Sequence, residues 1–104
     1  MKDIPTGVAE DISEQRDNDL TLRLSPNPYN SSTHLFISVP RTADVSVDVF
    51  DLLGRRVYHK VLLVRGPATQ RFTLEEGASL ATGMYLIRVA SEGEVQTAKL
   101  LKIR

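Results

Sequence analysis

The side chains that most often carry chemistry are few in this sequence and lie far apart. His34 and His59 are the only histidines, and neither has further ligands nearby at the spacing of a metal site. Glu75 and Glu76 are adjacent, and neighbouring side chains at a strand end diverge, so we expect both in a solvated loop. The sequence has no cysteine, which excludes a disulfide framework and a thiolate metal site.

The hydroxyl groups and glycines give no catalytic motif either. Ser25, Ser31 and Ser32 have no histidine and acid around them in a recognisable triad. The stretch "GASLATG" (residues 77–83) lacks the Lys-Ser/Thr pair that follows the glycines of a phosphate-binding loop. We therefore predict that the protein is not an enzyme and that it binds no cofactor and no metal.

Charge is balanced over the chain but not along it. The chain has 13 basic and 13 acidic residues, and the first 19 residues, "MKDIPTGVAEDISEQRDND", hold six of the acids and only two of the bases. This stretch shows no sustained apolar period, which predicts a flexible acidic linker over residues 1–19. The bases of residues 20–104 are too sparse, and too rarely interleaved with aromatic residues, for a nucleic-acid partner.

Targeting segments are not evident in the sequence. No stretch has the length and apolarity of a membrane span, and the first residues lack the apolar core of a signal peptide. Two interpretations follow from this: the protein is cytoplasmic, or the chain is the excised end of a longer protein whose signal lies upstream.

From Leu20 onward, apolar residues alternate with polar ones, which is typical of β-strands. The alternation is clearest in "THLFISV" and "VSVDVFD", where every second residue is apolar. Prolines, asparagines and glycines interrupt it about every ten residues. The pattern predicts seven short strands, over residues 20–25, 33–39, 45–51, 56–64, 70–74, 84–90 and 95–103.

Three of these strands have apolar residues on both faces. "MYLIRVA" is apolar on both sides over most of its length, which predicts a central strand. The adjacent Leu100 and Leu101 in "VQTAKLLKI" indicate either a bulge or a strand buried on both faces. "RVYHKVLLV" does not reveal its inner face, and Leu80, in the long connection before Gly83, is expected to enter the core.

Together the strands predict an all-β fold, an immunoglobulin-like antiparallel β-sandwich over residues 20–104 with no significant helix. The absence of both cysteine and tryptophan excludes the antibody type of core. An immunoglobulin-like spacer or a carbohydrate-binding or adhesion module is one functional class for such a fold. Sugar platforms need exposed aromatic rings, which only Tyr29, Tyr58, Phe36 and Phe50 could supply.

Three stretches, taken together, resemble a known family. "LRLSPNPYNSSTHLFISVP", "VSVDVFDLLGRRVYHK" and "LATGMYLIRVASEGEVQTAKLLKIR" are similar, in order and spacing, to the opening, middle and closing elements of C-terminal sorting domains of the type IX secretion system. The resemblance covers most of residues 20–104. The residues that match the family motifs are Pro26, Asn27 and Pro28, then Asp51, Gly54 and Arg55, and finally Gly83, Tyr85, Lys99 and Lys102.

The resemblance implies a secretion address that is no enzyme. The implied partners are the outer-membrane translocon, a sortase that cleaves before the domain, and a cargo domain upstream of residue 1. The implied location is the periplasm in transit and then the cell surface or the extracellular space.

Each matching residue also has a structural interpretation. The two prolines can end a strand, Gly54 can permit a turn, Gly83 can permit an unusual backbone, and Tyr85 can anchor the core with its hydroxyl at the rim. Lys99 and Lys102 can protect an edge strand from pairing. The same edge can instead accept a partner strand or form a dimer. Because Lys99, Lys102 and Arg104 crowd into the last six residues, we expect these bases to contact the secretion machinery.

Overall fold

The computed structural model describes residues 20–104 as two antiparallel β-sheets that pack face to face. The linker predicted over residues 1–19 lies outside the described residues. The seven strands are β1 (Thr21–Ser25), β2 (His34–Val39), β3 (Ala43–Phe50), β4 (Arg56–Val64), β5 (Ala68–Thr73), β6 (Gly83–Ser91) and β7 (Glu94–Lys102).

The strand order confirms an immunoglobulin-like sandwich. The three-stranded sheet has the order β1-β2-β5, and the four-stranded sheet has the order β4-β3-β6-β7. In the constant-type immunoglobulin arrangement the fourth strand belongs to the sheet of the first, second and fifth strands. Here the fourth strand, β4, pairs with β3 in the other sheet. In that sheet β6 lies between β3 and β7, so it is a central strand, as predicted.

The period-two pattern places the core correctly. The apolar residues of β2, β3 and β6 alternate with residues that face outward, and those that face inward are nearly inaccessible to solvent. Leu80 is half-buried against them, as expected. The inward-facing residues of these three strands are Leu35, Ile37, Val39, Val45, Val47, Val49, Tyr85, Ile87 and Val89.

The structure also shows which side chains of β4 and β7 face the core, which the sequence pattern left open. In β4, Tyr58, Leu62 and Val64 face the core, with the half-buried Lys60 on the same side. The exposed residues that alternate with them are Val57, His59, Val61 and Leu63. The pairing of β6 with β7 runs without a register shift, so β7 has no bulge; Leu100 is buried and Leu101 is half-buried on the outer face. A bulge occurs instead between β3 and β4, where the register shifts at Val49/Phe50.

Several predicted element boundaries were wrong by one or two residues. β5 begins at Ala68 because Ala68 and Thr69 pair with the end of β2, although the Gly-Pro stretch before them predicted a longer loop. The connection to β6 contains one 3₁₀ turn at Gly77–Ser79, and residues 20–104 contain no α-helix. No helix of this part of the chain has the length and apolarity needed to cross a membrane.

Candidate functional site

The first motif lies against the last strand. We call Pro26–Tyr29 the PNP segment. It runs parallel to the end of β7, with Tyr29 and Lys102 bridged. The Tyr29 N–H donates to the Leu101 carbonyl at 3.0 Å, and the Ile103 N–H donates to the Tyr29 carbonyl at 2.8 Å. The PNP segment therefore covers the outer edge of β7 over its last residues.

The Asn27 side chain extends this ladder where the prolines cannot. Pro26 and Pro28 have no N–H to donate. The Asn27 amide nitrogen donates to the Lys99 carbonyl at 2.8 Å, and its amide oxygen accepts from the Leu101 N–H at 3.1 Å. A carboxamide carries both a donor and an acceptor, so one side chain replaces a missing backbone pair.

Buried residues on both sides hold the PNP segment in place. The Tyr29 side chain is 2% exposed, and its hydroxyl donates to the Gly77 carbonyl at 2.8 Å. Burial raises the pKa of the Tyr29 hydroxyl, and the neighbouring Tyr85 adds to the shift. Thr33, fully buried, donates from its hydroxyl to the Pro26 carbonyl at 2.7 Å. The PNP segment is thus anchored to β7, to the residue before β2 and to the 3₁₀ turn.

The three basic residues near the end of β7 have different environments. Lys99 is exposed on the outer face of the four-stranded sheet, and Arg104 is exposed beyond the strand. Lys102, by contrast, is only 9% exposed, and its ammonium lies 5.7 Å from the centre of the Tyr29 ring. The expectation that all three bases crowd an exposed edge is therefore wrong for Lys102, because its side chain shares the inner face with Leu100.

The second motif forms the turn between β3 and β4. Asp51 Oδ1 accepts from the Leu53 N–H at 2.9 Å and from the Arg55 N–H at 3.0 Å, and Oδ2 accepts from Arg55 Nε at 2.7 Å. The backbone N–H of Arg55 is the main cause that lowers the pKa of the Asp51 carboxyl. Gly54 has φ +82°, a backbone conformation that residues with a side chain rarely adopt. All three motif residues are used to hold the turn.

The third motif begins at a corner of the fold. Tyr85, near the start of β6, is 7% exposed, and its hydroxyl donates to the Ala81 carbonyl at 2.6 Å. A tyrosine at this position, bonded to backbone a few residues upstream, is the tyrosine corner of immunoglobulin-like sandwiches. Gly83 just before it has φ +156°. The predicted core anchor with its hydroxyl at the rim is confirmed.

The middle turn and the closing hairpin share a groove of about 370 Å³ on the outer face of the four-stranded sheet. It is lined mainly by apolar side chains from β3, the turn and β6, and Lys99 of β7 lies on one side of it. We call it the leucine groove, after Leu52 and Leu86. Sequence reasoning missed it, although the apolar pair Leu52-Leu53 inside a turn was a visible signal.

A buried carboxylate lies next to the leucine groove on the same outer face. Asp48 lies on the outward-facing side of β3, yet its side chain is only 6% exposed. His59 Nδ1 lies 2.7 Å from Oδ1, Arg56 Nη1 lies 3.3 Å from the same oxygen, and Arg88 Nη1 lies 3.8 Å from Oδ2. Two permanent cations thus surround one carboxylate.

The side chains considered for chemistry remain dispersed in the fold. His34 contacts Thr73, and no group of three or more histidine, cysteine, aspartate or glutamate side chains in residues 20–104 is placed to hold a metal ion. Glu75 pairs with Lys60 at 2.8 Å across the mouth of a cleft of about 310 Å³ between β4 and β5. Of the four aromatic residues considered for sugar stacking, Tyr29 is buried, and Phe36 lies under Arg23 at 4.2 Å.

Comparison with known proteins agrees with this geometry. The family model described as the secretion system C-terminal sorting domain matches residues 23–103, which include all three motifs. The chain belongs to this family. It is therefore a C-terminal signal of type IX secretion, and such signals address an export machinery and are not themselves catalysts.

The sorting domain is also similar in fold to part of a solved structure. The crystal structure of dimeric latent PorU from Porphyromonas gingivalis matches it with a TM-score of 0.67 and 19% sequence identity. The match covers 91% of this chain and only 10% of the PorU chain. No curated protein matches the sequence. Membership of the family implies interaction with the secretion machinery and export across the outer membrane toward the cell surface or beyond.

Proposed function

We propose that the outer-membrane translocon recognises the sorting domain in its folded state, after the cargo that precedes residue 1 has entered the periplasm. One observation supports this most directly. Asn27 bonds to Leu101, 74 residues later in the chain, so the first and last motifs form a common surface only after folding. An unfolded chain would present the same residues far apart.

We further propose that a sortase cleaves within residues 1–19 and that the cargo is then attached to the cell surface or released. The acidic, polar composition of this stretch supports the proposal, because a sortase needs a substrate segment that it can reach from solvent. The sorting domain itself would supply the address and no catalytic group.

The motif residues divide into two roles in this proposal. Most of them build the recognised surface, since their side chains or backbone conformations hold turns and strand edges together; these are Pro26, Asn27, Pro28, Asp51, Gly54, Arg55, Gly83, Tyr85 and Lys102. Lys99 and Arg104 are exposed and are proposed to contact the machinery directly.

An export assay tests the proposal. The full 104-residue chain is fused behind a periplasmic reporter in a cell with an active type IX system, and reporter activity is measured at the cell surface and in the medium. We expect export that requires an intact translocon. Retention of the reporter in the periplasm, with the fused domain shown to be folded, would contradict the proposal.

A further inference from the structure

The turn between β3 and β4 exposes two leucines that its geometry does not require. Asp51, Gly54 and Arg55 hold the turn, whereas Leu52 and Leu53 take part through backbone atoms alone. Each leucine is 78% exposed. Leaving two large apolar side chains in water is unfavourable, and clustered apolar exposure of this kind marks interaction sites.

The exposed leucines continue into the leucine groove. Phe50, Leu52, Met84 and Leu86 give it an apolar floor and wall, and Leu86 is 40% exposed there. The groove is thus open to solvent and presents carbon atoms to an incoming side chain.

The surroundings of the leucine groove are positively charged. Arg55, Arg56, Arg88 and Lys99 lie in or beside it, and the carboxylates of Asp48 and Asp51 are already engaged by the arginines. No carboxylate of residues 20–104 lies within 4 Å of the Lys99 ammonium. A positive rim of this kind attracts a partner that carries carboxylates.

We propose that the leucine groove binds an extended segment of a secretion-machinery component in which a large apolar side chain stands beside an aspartate or glutamate. The apolar side chain fills the groove and supplies most of the affinity, and the carboxylate pairs with Lys99 and fixes the position of the segment. This inference rests on the proposed function, because it requires that the machinery contacts the folded domain.

Substitutions in the reporter fusion of the full chain test the apolar part. The double variant Leu52→Ser/Leu53→Ser should reduce export by about tenfold or more, because it removes two apolar side chains from the contact. The matched control is Val61→Ser/Leu63→Ser on β4 of the same outer face, where both residues are about half exposed. The control should export like the unaltered chain.

The outcomes separate this inference from the proposed function. If the unaltered fusion is not exported, the proposed function fails. If the unaltered fusion is exported and Leu52→Ser/Leu53→Ser is exported equally well, only the leucine groove is overturned. Both double variants must melt cooperatively, within a few degrees of the unaltered chain. We expect this because all four replaced side chains are exposed and lie outside the core.

A charge reversal tests the acidic part of the partner. Lys99→Glu should lower export roughly three- to tenfold, Lys99→Arg should preserve it, and Arg65→Glu in an exposed loop away from the groove should have no effect. Unchanged export of Lys99→Glu would contradict the acidic partner. Sedimentation of the free 104-residue chain completes the test, since a dimer that dissociates on Leu52→Ser/Leu53→Ser would assign the groove to a second copy and overturn the proposal.

Discussion

Asn27 shows how one side chain can connect the two ends of a domain. Its amide makes two hydrogen bonds to β7, at Lys99 and Leu101, and it does so between two prolines that cannot donate. The asparagine is therefore explained by donor and acceptor requirements of a strand edge, independently of any contact with a partner.

Replacing Asn27 should loosen the end of β7. Asn27→Ala removes both hydrogen bonds and should cost about 1 to 2 kcal/mol, since each contributes of the order of 1 kcal/mol. Asn27→Asp should cost at least as much, because a carboxylate cannot donate to the Lys99 carbonyl. Thermal unfolding followed by circular dichroism measures the loss. The control is Asn30→Ala, an exposed neighbour whose side chain forms no hydrogen bond within residues 20–104, and an equal loss there would contradict this explanation.

Asp51 should make stability depend on acid pH. Its pKa is lowered in the fold, so its contribution is complete above the pKa of an unfolded aspartate, about 3.9, and is lost as the pH falls through the lower folded value. Melting temperatures of the unaltered chain and of Asp51→Asn should therefore differ most near neutral pH and converge in acid. A difference that stays constant from pH 7 to pH 2 would show that the ionised carboxylate does not hold the turn.

Tyr85 should stabilise the domain through its hydroxyl as well as its ring. Tyr85→Phe keeps the packing and removes the bond to the Ala81 carbonyl, which should cost about 1 kcal/mol. For a domain of this size that corresponds to a melting temperature lower by roughly 4 to 8 °C. A melting temperature equal to that of the unaltered chain would mean that the tyrosine corner contributes by its ring alone.

At the level of residues, the sequence predicted roles that depend on local geometry. Gly54 and Tyr85 act within a few residues of themselves, and the turn and the core anchor predicted for them are confirmed. The position of Lys102 was predicted wrongly because adjacent Leu100 and Leu101 concealed which face was inner. Once Leu100 is inside, the period of two places Lys102 inside as well.

Among the elements, β7 is the one on which most of the site depends. It pairs with β6 on one edge and with the PNP segment on the other, and it carries Leu100 into the core. The sequence predicted its extent and its central neighbour from alternation alone. It could not predict the second pairing, because a parallel contact between residues 74 positions apart leaves no periodic signal.

Two deletions at the end of β7 should differ in how much they lower the free energy of unfolding. Removing Ile103 and Arg104 deletes one bond to Tyr29 and should cost about 1 kcal/mol. Removing Lys99–Arg104 also deletes the buried Leu100 and four paired positions, a loss of several kcal/mol in a domain whose total stability is about 5–15 kcal/mol. Circular dichroism should then show folded protein for the first deletion and not for the second. The export assay should show weakened export for the first deletion, which loses Arg104, and none for the second. Full export of the second deletion would contradict the folded-state proposal.

At the scale of the whole molecule, strands from distant parts of the chain meet in both sheets. β2 pairs with β5, and β3 pairs with β6, across long intervals of sequence. The alternating pattern predicted two sheets of a sandwich, but the sheet to which β4 belongs depends on which edge it joins, and composition does not encode that choice.

This topology should make folding slow. All-β sandwiches with non-local pairing close long loops before contacts stabilise them, and they refold in roughly milliseconds to seconds. Stopped-flow circular dichroism after dilution from denaturant would measure the rate. Complete refolding within microseconds would show that local hairpins, and not the assembled sandwich, determine the rate-limiting step.

The parallel run of the PNP segment beside β7 has a mechanical consequence. When the chain before residue 20 is pulled one way and the end of β7 the other, the four hydrogen bonds of Asn27 and Tyr29 to β7 and Ile103 are loaded along the strands and must rupture together. An antiparallel edge pulled from a turn would open one bond at a time. A domain gripped at its end while its cargo is drawn through a pore would therefore resist unravelling under tension, and Asn27→Ala should lower the rupture force in single-molecule pulling.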